Sequence, residues 1–121
     1  MPNFFDNVRY AVAGIRSFFS TEQNGRAQGI IALLVVTAGF LFRITAMEWV
    51  LVLGCIALVI CLEMVNSAIE KVCNLITSEY NPAIKVIKDI AAGAVLLAAI
   101  ISAVIGAIIF LPYINSILTI K

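Results

Sequence analysis

The stretch Ile90–Leu111, IAAGAVLLAAIISAVIGAIIFL, decides the fold class. It carries no charge over 22 residues. At 1.5 Å rise per residue a helix of that length reaches about 33 Å, enough to cross a hydrocarbon core of roughly 30 Å. Two shorter apolar runs precede it, GIIALLVVTAGFLF at Gly29–Phe42 and WVLVLGCIALVICL at Trp49–Leu62. Each reaches spanning length by extending helically, the first past Gln28 and the second past Glu63. Arg43–Glu48 forms a short polar break, with Trp49 as an interfacial anchor, and Pro112 and Tyr113 close the third run in the same way. The expected spans are 27–43, 47–72 and 88–112.

The rest of the composition agrees. The 121 residues are 63% hydrophobic and 12% charged, with a mean hydropathy of +1.10. Soluble chains are usually about 45–50% apolar and about 25% charged, and a small domain buries too little of its surface to hide such an excess. An ordinary cytosolic enzyme, a disordered segment and a secreted disulfide scaffold are excluded, which leaves an integral membrane protein, and the helical spans make its expected fold class all-α. A net charge of +1 argues for neither nucleic acid nor an acidic partner. Histidine is absent, which removes Ser-His-Asp and Cys-His nucleophile systems and His-ligated zinc or haem. Cys55, Cys61 and Cys73 form no CxxC and are odd in number, so they read as small buried apolar residues.

Residues 1–24 differ from the spans. Phe4, Phe5, Val8, Val12, Ile15, Phe18 and Phe19 recur at three- and four-residue steps, with Arg9 and Arg16 near one face. That is the pattern of an amphipathic helix lying in the membrane interface. Asp6, Arg9 and Arg16 interrupt any signal-peptide core. Arg9, Arg16 and Arg26 precede the first span, and Lys71, Lys85 and Lys88 lie between the second and third. Arg43 sits in the first loop and Lys121 follows the last span. The positive-inside rule puts the N-terminus and the second loop in the cytoplasm.

In so apolar a chain the informative residues are the polar ones beside the spans. Glu63, Asn66, Ser67 and Glu70 stand at relative positions 0, +3, +4 and +7, one face of a helix. A carboxylate within a span costs on the order of 2.5–3.5 kcal/mol and tends to face a cavity or partner. Two carboxylates with an amide between them suggest a site; the plainer reading is a helix-end face wetted by headgroups. Glu22, Asn24, Arg26 and Gln28 form a second cluster. Glu79, Tyr80, Asn81, Lys85, Lys88 and Asp89 form a third. All three fall on the side expected to be cytoplasmic. Carboxylates that hold Mg²⁺ and lysines that meet phosphates are the parts of phosphoryl transfer from ATP. Neither a Walker A motif nor GxGxxG occurs, so the soluble kinase folds are excluded.

EMVNSAIEKV at Glu63–Val72 resembles the ExxN[ST]AIE signature of the small prokaryotic diacylglycerol kinase family, which includes undecaprenol kinases. KDIAAGAVLLAAI at Lys88–Ile100 resembles that family's third-span motif. RYAVAGIRSFFSTEQNGR at Arg9–Arg26 resembles its N-terminal pattern, with Tyr10, Gly14 and Glu22. The resemblance covers nearly the whole chain and implies a single lipid-kinase domain over 1–121. It implies three transmembrane helices and an interfacial helix per protomer, in a homotrimer with shared active sites in the cytoplasmic (inner) membrane. The implied activity is phosphorylation of a membrane lipid alcohol by ATP with Mg²⁺.

Carried onto this sequence, Glu63 would be the general base, and it also lies nearest the apolar run. Glu22 and Glu70 would hold Mg²⁺ and face the nucleotide. Tyr10, Glu79, Tyr80, Asn81, Lys88 and Asp89 would bind ATP, while Asn66, Arg16 and Ala92 would support the site or contact the substrate. Gln28 stands where many members have His or Glu, and Asn74 where many have Asp. The stretch Glu22–Arg26 and AAGAV in the third span lean toward the undecaprenol branch. Small residues along the third span, from Ala91 to Ala107, allow close helix packing in a trimer. The competing reading is a non-catalytic small membrane subunit or assembly factor.

Overall fold

The computed structural model describes residues 3–119; the first two residues of the expected interfacial segment, and Lys121 after the last expected span, lie outside the described residues. The described chain is all-helical: α1 (Phe4–Thr21), α2 (Gln23–Phe42), α3 (Ala46–Ile76) and α4 (Pro82–Thr119). Helices α2, α3 and α4 are each long and apolar enough to cross a membrane.

Capping chemistry sets where the helices begin. Asn3 accepts from the Asp6 N–H at 2.9 Å, and the Asp6 carboxylate accepts from the Asn3 N–H. Thr45 and Glu48 repeat this reciprocal arrangement at the start of α3. Asn81 accepts from the N–H groups of Ala83 and Ile84, so α4 starts with Pro82 in its first turn, where a missing N–H costs nothing.

One residue separates α1 from α2. Glu22 is extended (φ −90°, ψ 129°), and its N–H still reaches the Phe18 carbonyl. The joint is tight because Gly25 in α2 passes against the last turn of α1: a Cβ there would lie 2.1 Å from the Phe18 carbonyl oxygen. The expected interfacial segment 1–24 is therefore divided at Glu22, and the span expected from 27 belongs to a helix that starts at Gln23.

α2 ends on Arg43, whose φ of 53° is left-handed, a conformation that costs a side-chain-bearing residue roughly 1–2 kcal/mol. What offsets it is packing. The turn delivers Ile44 into a buried cluster with Val52 and Ile109, ringed by Phe42, Trp49, Phe110 and Tyr113. Phe42 stacks on Tyr113 with ring centroids 5.9 Å apart. The Tyr113 hydroxyl donates to Glu48, the carboxylate that also closes the α3 cap. A Cβ on Gly39 would meet the Trp49 ring at 2.7 Å, so that position must stay bare.

The third span is expected to close at Pro112 and Tyr113, and the helix that carries it runs further. α4 continues through Pro112 to Thr119. Proline removes one backbone hydrogen bond there, while Tyr113 is held on both its ring and its hydroxyl. α4 also begins at Pro82, earlier than the expected 88.

α3 and α4 form the most extensive pairing, α2 rests on α3, and α1 packs on α2. The chain exposes 8836 Å², against about 6,300 Å² for a globular monomer of its mass. Leu33, Leu41, Ile90 and Ile108 each leave more than two thirds of their surface uncovered. Such a surface suits a lipid environment. Of the cysteines only Cys73 is buried; Cys55 is half-buried and Cys61 is exposed, contrary to the expectation for all three.

Candidate functional site

The uninterrupted turns of α3 bring Glu63, Asn66, Ser67 and Glu70 onto one face, as the spacing requires. Glu63 and Asn66 are buried, at 8% and 6% exposure, and the other buried side chains among the described residues are all apolar. Glu70 is exposed and accepts a long hydrogen bond, 3.4 Å, from the Asn66 amide. Glu63 Oε2 and Asn66 Oδ1 are buried with no partner, the two such side-chain atoms among the described residues. Leaving a buried polar atom unsatisfied costs about 1–3 kcal/mol, more for a charged group. Such atoms call for a ligand or a chemical role.

A second element reaches this end of α3. The Glu22 carboxylate, which stands at the N-cap of α2 but does not cap it, pairs with Lys71 across 49 residues. Because Lys71 follows Glu70, the pair ties the α1–α2 joint to α3 at the level of Glu70. Nearby, Lys88 donates to Asn74 Oδ1 at 2.9 Å and so links the start of α4 to the end of α3.

The loop between α3 and α4 gathers the third polar cluster. Glu79, Tyr80, Asn81, Lys85, Lys88 and Asp89 line an open cavity of about 360 Å³. Within it Lys85 pairs with Asp89 at 2.6 Å, and Tyr80 is 79% exposed. The remaining candidates stand apart. Tyr10 is exposed on α1, with Arg9 over its ring at 5.9 Å; Arg16 is exposed on the same helix and Ala92 is exposed on α4. No hydrogen bond or ion pair among the described residues joins these three side chains to the Glu63 face. A separate apolar cavity of about 340 Å³ lies between α2, α3 and α4 and includes Val59 and Ile60, one turn before Glu63.

Sequence reasoning gave Lys71 no role in the site, and no local signal could have joined it to Glu22. The tie from Lys88 to Asn74 was equally hidden.

Among the described residues no group of three or more Asp, Glu or Cys side chains could hold a metal by itself. The donors offered are hard oxygens: Glu22, Glu70 and the unpartnered Glu63 Oε2 and Asn66 Oδ1. That donor set fits Mg²⁺, which takes one or two carboxylates with substrate phosphates and keeps several waters.

The profile of the family described as prokaryotic diacylglycerol kinase matches residues 9–110. The chain is 39% identical to the undecaprenol kinase of Bacillus subtilis (strain 168) over 112 residues, covering 93% of this chain and 91% of that one. It is 38% identical to a diacylglycerol kinase of Synechocystis over 112 residues, covering 92% of this chain and 64% of the relative. It is 34% identical to the diacylglycerol kinase of Escherichia coli K12 over 95 residues, 78% of each.

Proposed function

This chain belongs to the prokaryotic diacylglycerol kinase family and is a lipid kinase, and we propose that it transfers the γ-phosphate of ATP to the hydroxyl of undecaprenol or diacylglycerol at the Glu63 end of the bundle. The observation that carries the assignment of the site is the buried, unpartnered Glu63 Oε2 beside the unpartnered Asn66 Oδ1.

In this reading Glu63 takes the proton of the lipid hydroxyl as its oxygen bonds to the γ-phosphorus. The bond from that phosphorus to the bridging oxygen breaks and ADP leaves. Asn66 orients the hydroxyl or the phosphate. Glu22 and Glu70 would hold Mg²⁺, which would offset the negative charge of the phosphates. Tyr10, Glu79, Tyr80, Asn81, Lys88 and Asp89 bind the nucleotide, Lys88 through its charge. Arg16 and Ala92 contact the lipid from α1 and α4.

The assembly is a homotrimer with shared sites. Two features favour it: Tyr10, Arg16 and Ala92 stand away from the Glu63 face of their own chain, and a Cβ at Gly54, Gly93 or Gly106 would meet nothing within 4 Å. Bare positions that no part of the same chain uses suit the close approach of another copy. α1 lies in the interface with Phe4 and Phe5 toward the lipid. The Glu63 end faces the cytoplasm of the inner membrane, on the distribution of basic residues.

Undecaprenol is the favoured acceptor, on the Glu22–Arg26 stretch and the Bacillus relative. Phosphate transfer from labelled ATP to undecaprenol and to diacylglycerol, run in parallel on purified protein with Mg²⁺, tests the function. Faster transfer to undecaprenol is expected; transfer to neither lipid contradicts the assignment. Mixing Glu63→Gln chains with Glu22→Gln chains tests the shared site: activity returns if the two residues act across an interface, and stays absent if each chain holds a complete site.

A further inference from the structure

Of the three ion pairs among the described residues, Arg9–Asp6 and Lys85–Asp89 are local contacts within one helix. Lys71–Glu22 alone joins two parts of the chain distant in sequence. It occupies the carboxylate that the proposed function gives to the cation. We propose that Lys71 is a latch for the nucleotide site: it neutralises Glu22 while the site is empty, and swings onto the nucleotide phosphates when the cation takes Glu22. This rests on the reading of Glu22 as a metal ligand.

Three features carry the argument. Glu22 stands at the N-cap of α2, where a side chain could satisfy free N–H groups of the helix, yet it makes no such bond and turns to Lys71. Without that partner, Glu22, Glu63 and Glu70 would leave several carboxylates unbalanced around one end of the bundle. Finally, Lys71 is 65% exposed, so nothing but Glu22 fixes its ammonium. Its four-carbon stem and three rotatable donors let the charge move several ångströms without moving α3. A dication on Glu22 repels the ammonium, and the nearest unsatisfied negative charge is then the phosphate chain bound to that cation. An exposed ion pair is worth little to stability, so a purely structural role for the pair would be weak.

The two halves of the latch give effects of opposite sign. In Lys71→Met the nucleotide-free protein should bind Mn²⁺, read by electron paramagnetic resonance, several-fold more tightly, because no ammonium competes for Glu22. The same variant should bind a Mg²⁺-loaded non-hydrolysable ATP analogue about tenfold more weakly in calorimetry, the loss of one hydrogen bond to a charged group. Lys71→Arg, which keeps the charge, should lie near the parent in both. If both affinities fall together, or neither changes, Lys71 only ties two helices and the latch is wrong. Adding Glu22→Gln to Lys71→Met separates the two readings. Loss of the gained Mn²⁺ affinity supports both. Its persistence shows that Glu22 is not the metal ligand, which overturns the latch together with the reading beneath it.

Discussion

The two ends of the helical bundle are built on opposite principles. At the Trp49 end the polar groups that start α3 are paired: Thr45 and Glu48 cap each other across its first turn, and Tyr113 completes the Glu48 carboxylate. Ile44, Val52 and Ile109 fill the space beneath an aromatic ring of Phe42, Phe110 and Trp49. At the other end Glu63 and Asn66 are buried with one oxygen each unpartnered, and three cationic side chains (Lys71, Lys85 and Lys88) make the surrounding contacts. A chain this apolar gains nothing in stability from burying an unsatisfied carboxylate. The difference teaches that the Trp49 end is built to hold the fold, while the Glu63 end leaves two buried oxygen atoms without partners, which is what the site proposed there would require.

Substitutions at the two ends should therefore separate rate from stability. The largest effect belongs to Glu63→Gln. Turnover should fall by at least about 10²-fold, the usual contribution of a positioned general base, while binding of the Mg²⁺-loaded ATP analogue changes little. Steady-state kinetics beside calorimetry checks this; near-normal turnover removes Glu63 as the base. Gly25→Ala comes next. Its Cβ would collide with the Phe18 carbonyl, so the α1–α2 joint must open and carry Glu22 away from Lys71. Thermal stability and activity should fall together by about 1–3 kcal/mol and several-fold respectively; unchanged melting and kinetics would mean the joint is not tight.

At the Trp49 end the expected effects are smaller and confined to stability. Thr45→Ala removes half of a reciprocal cap and should cost about 1 kcal/mol in denaturation while kcat and KM stay at the parent values. Tyr113→Phe keeps the ring on Phe42 and loses only the bond to Glu48, at about 0.5–1.5 kcal/mol, again with unaltered kinetics. A kinetic defect in either variant would blur the division between the ends.

The sequence made one layer of this organisation legible. The uncharged run Ile90–Leu111 announced a span, and positions 63, 66, 67 and 70 announced a shared helix face, because both depend on helix geometry alone. The break at Glu22 was legible only to within a few residues, as the expected end of the interfacial segment at 24. Ser20, Thr21, Asn24 and Gly25 in FFSTEQNGR all suit a helix boundary, and the joint is tight through the approach of Gly25 to Phe18 in three dimensions. Pro112 lies inside α4, and the contacts of Tyr113 that anchor this part of the helix come from Phe42 and Glu48, far away in sequence. In the site, the ties from Lys71 to Glu22 and from Lys88 to Asn74 join residues on different helices, so no periodicity could reveal them.

The central claim, that the Glu63 end is kept unstable for function, is tested most directly by the thermal unfolding of Glu63→Leu in detergent, with turnover measured on the same sample. Leucine fills much of the same space and removes the unpartnered oxygen. The account expects an inactive protein that melts at a higher temperature than the parent, by the equivalent of about 1–3 kcal/mol. A variant that melts lower than the parent would mean that Glu63 holds the fold together, and would contradict the account.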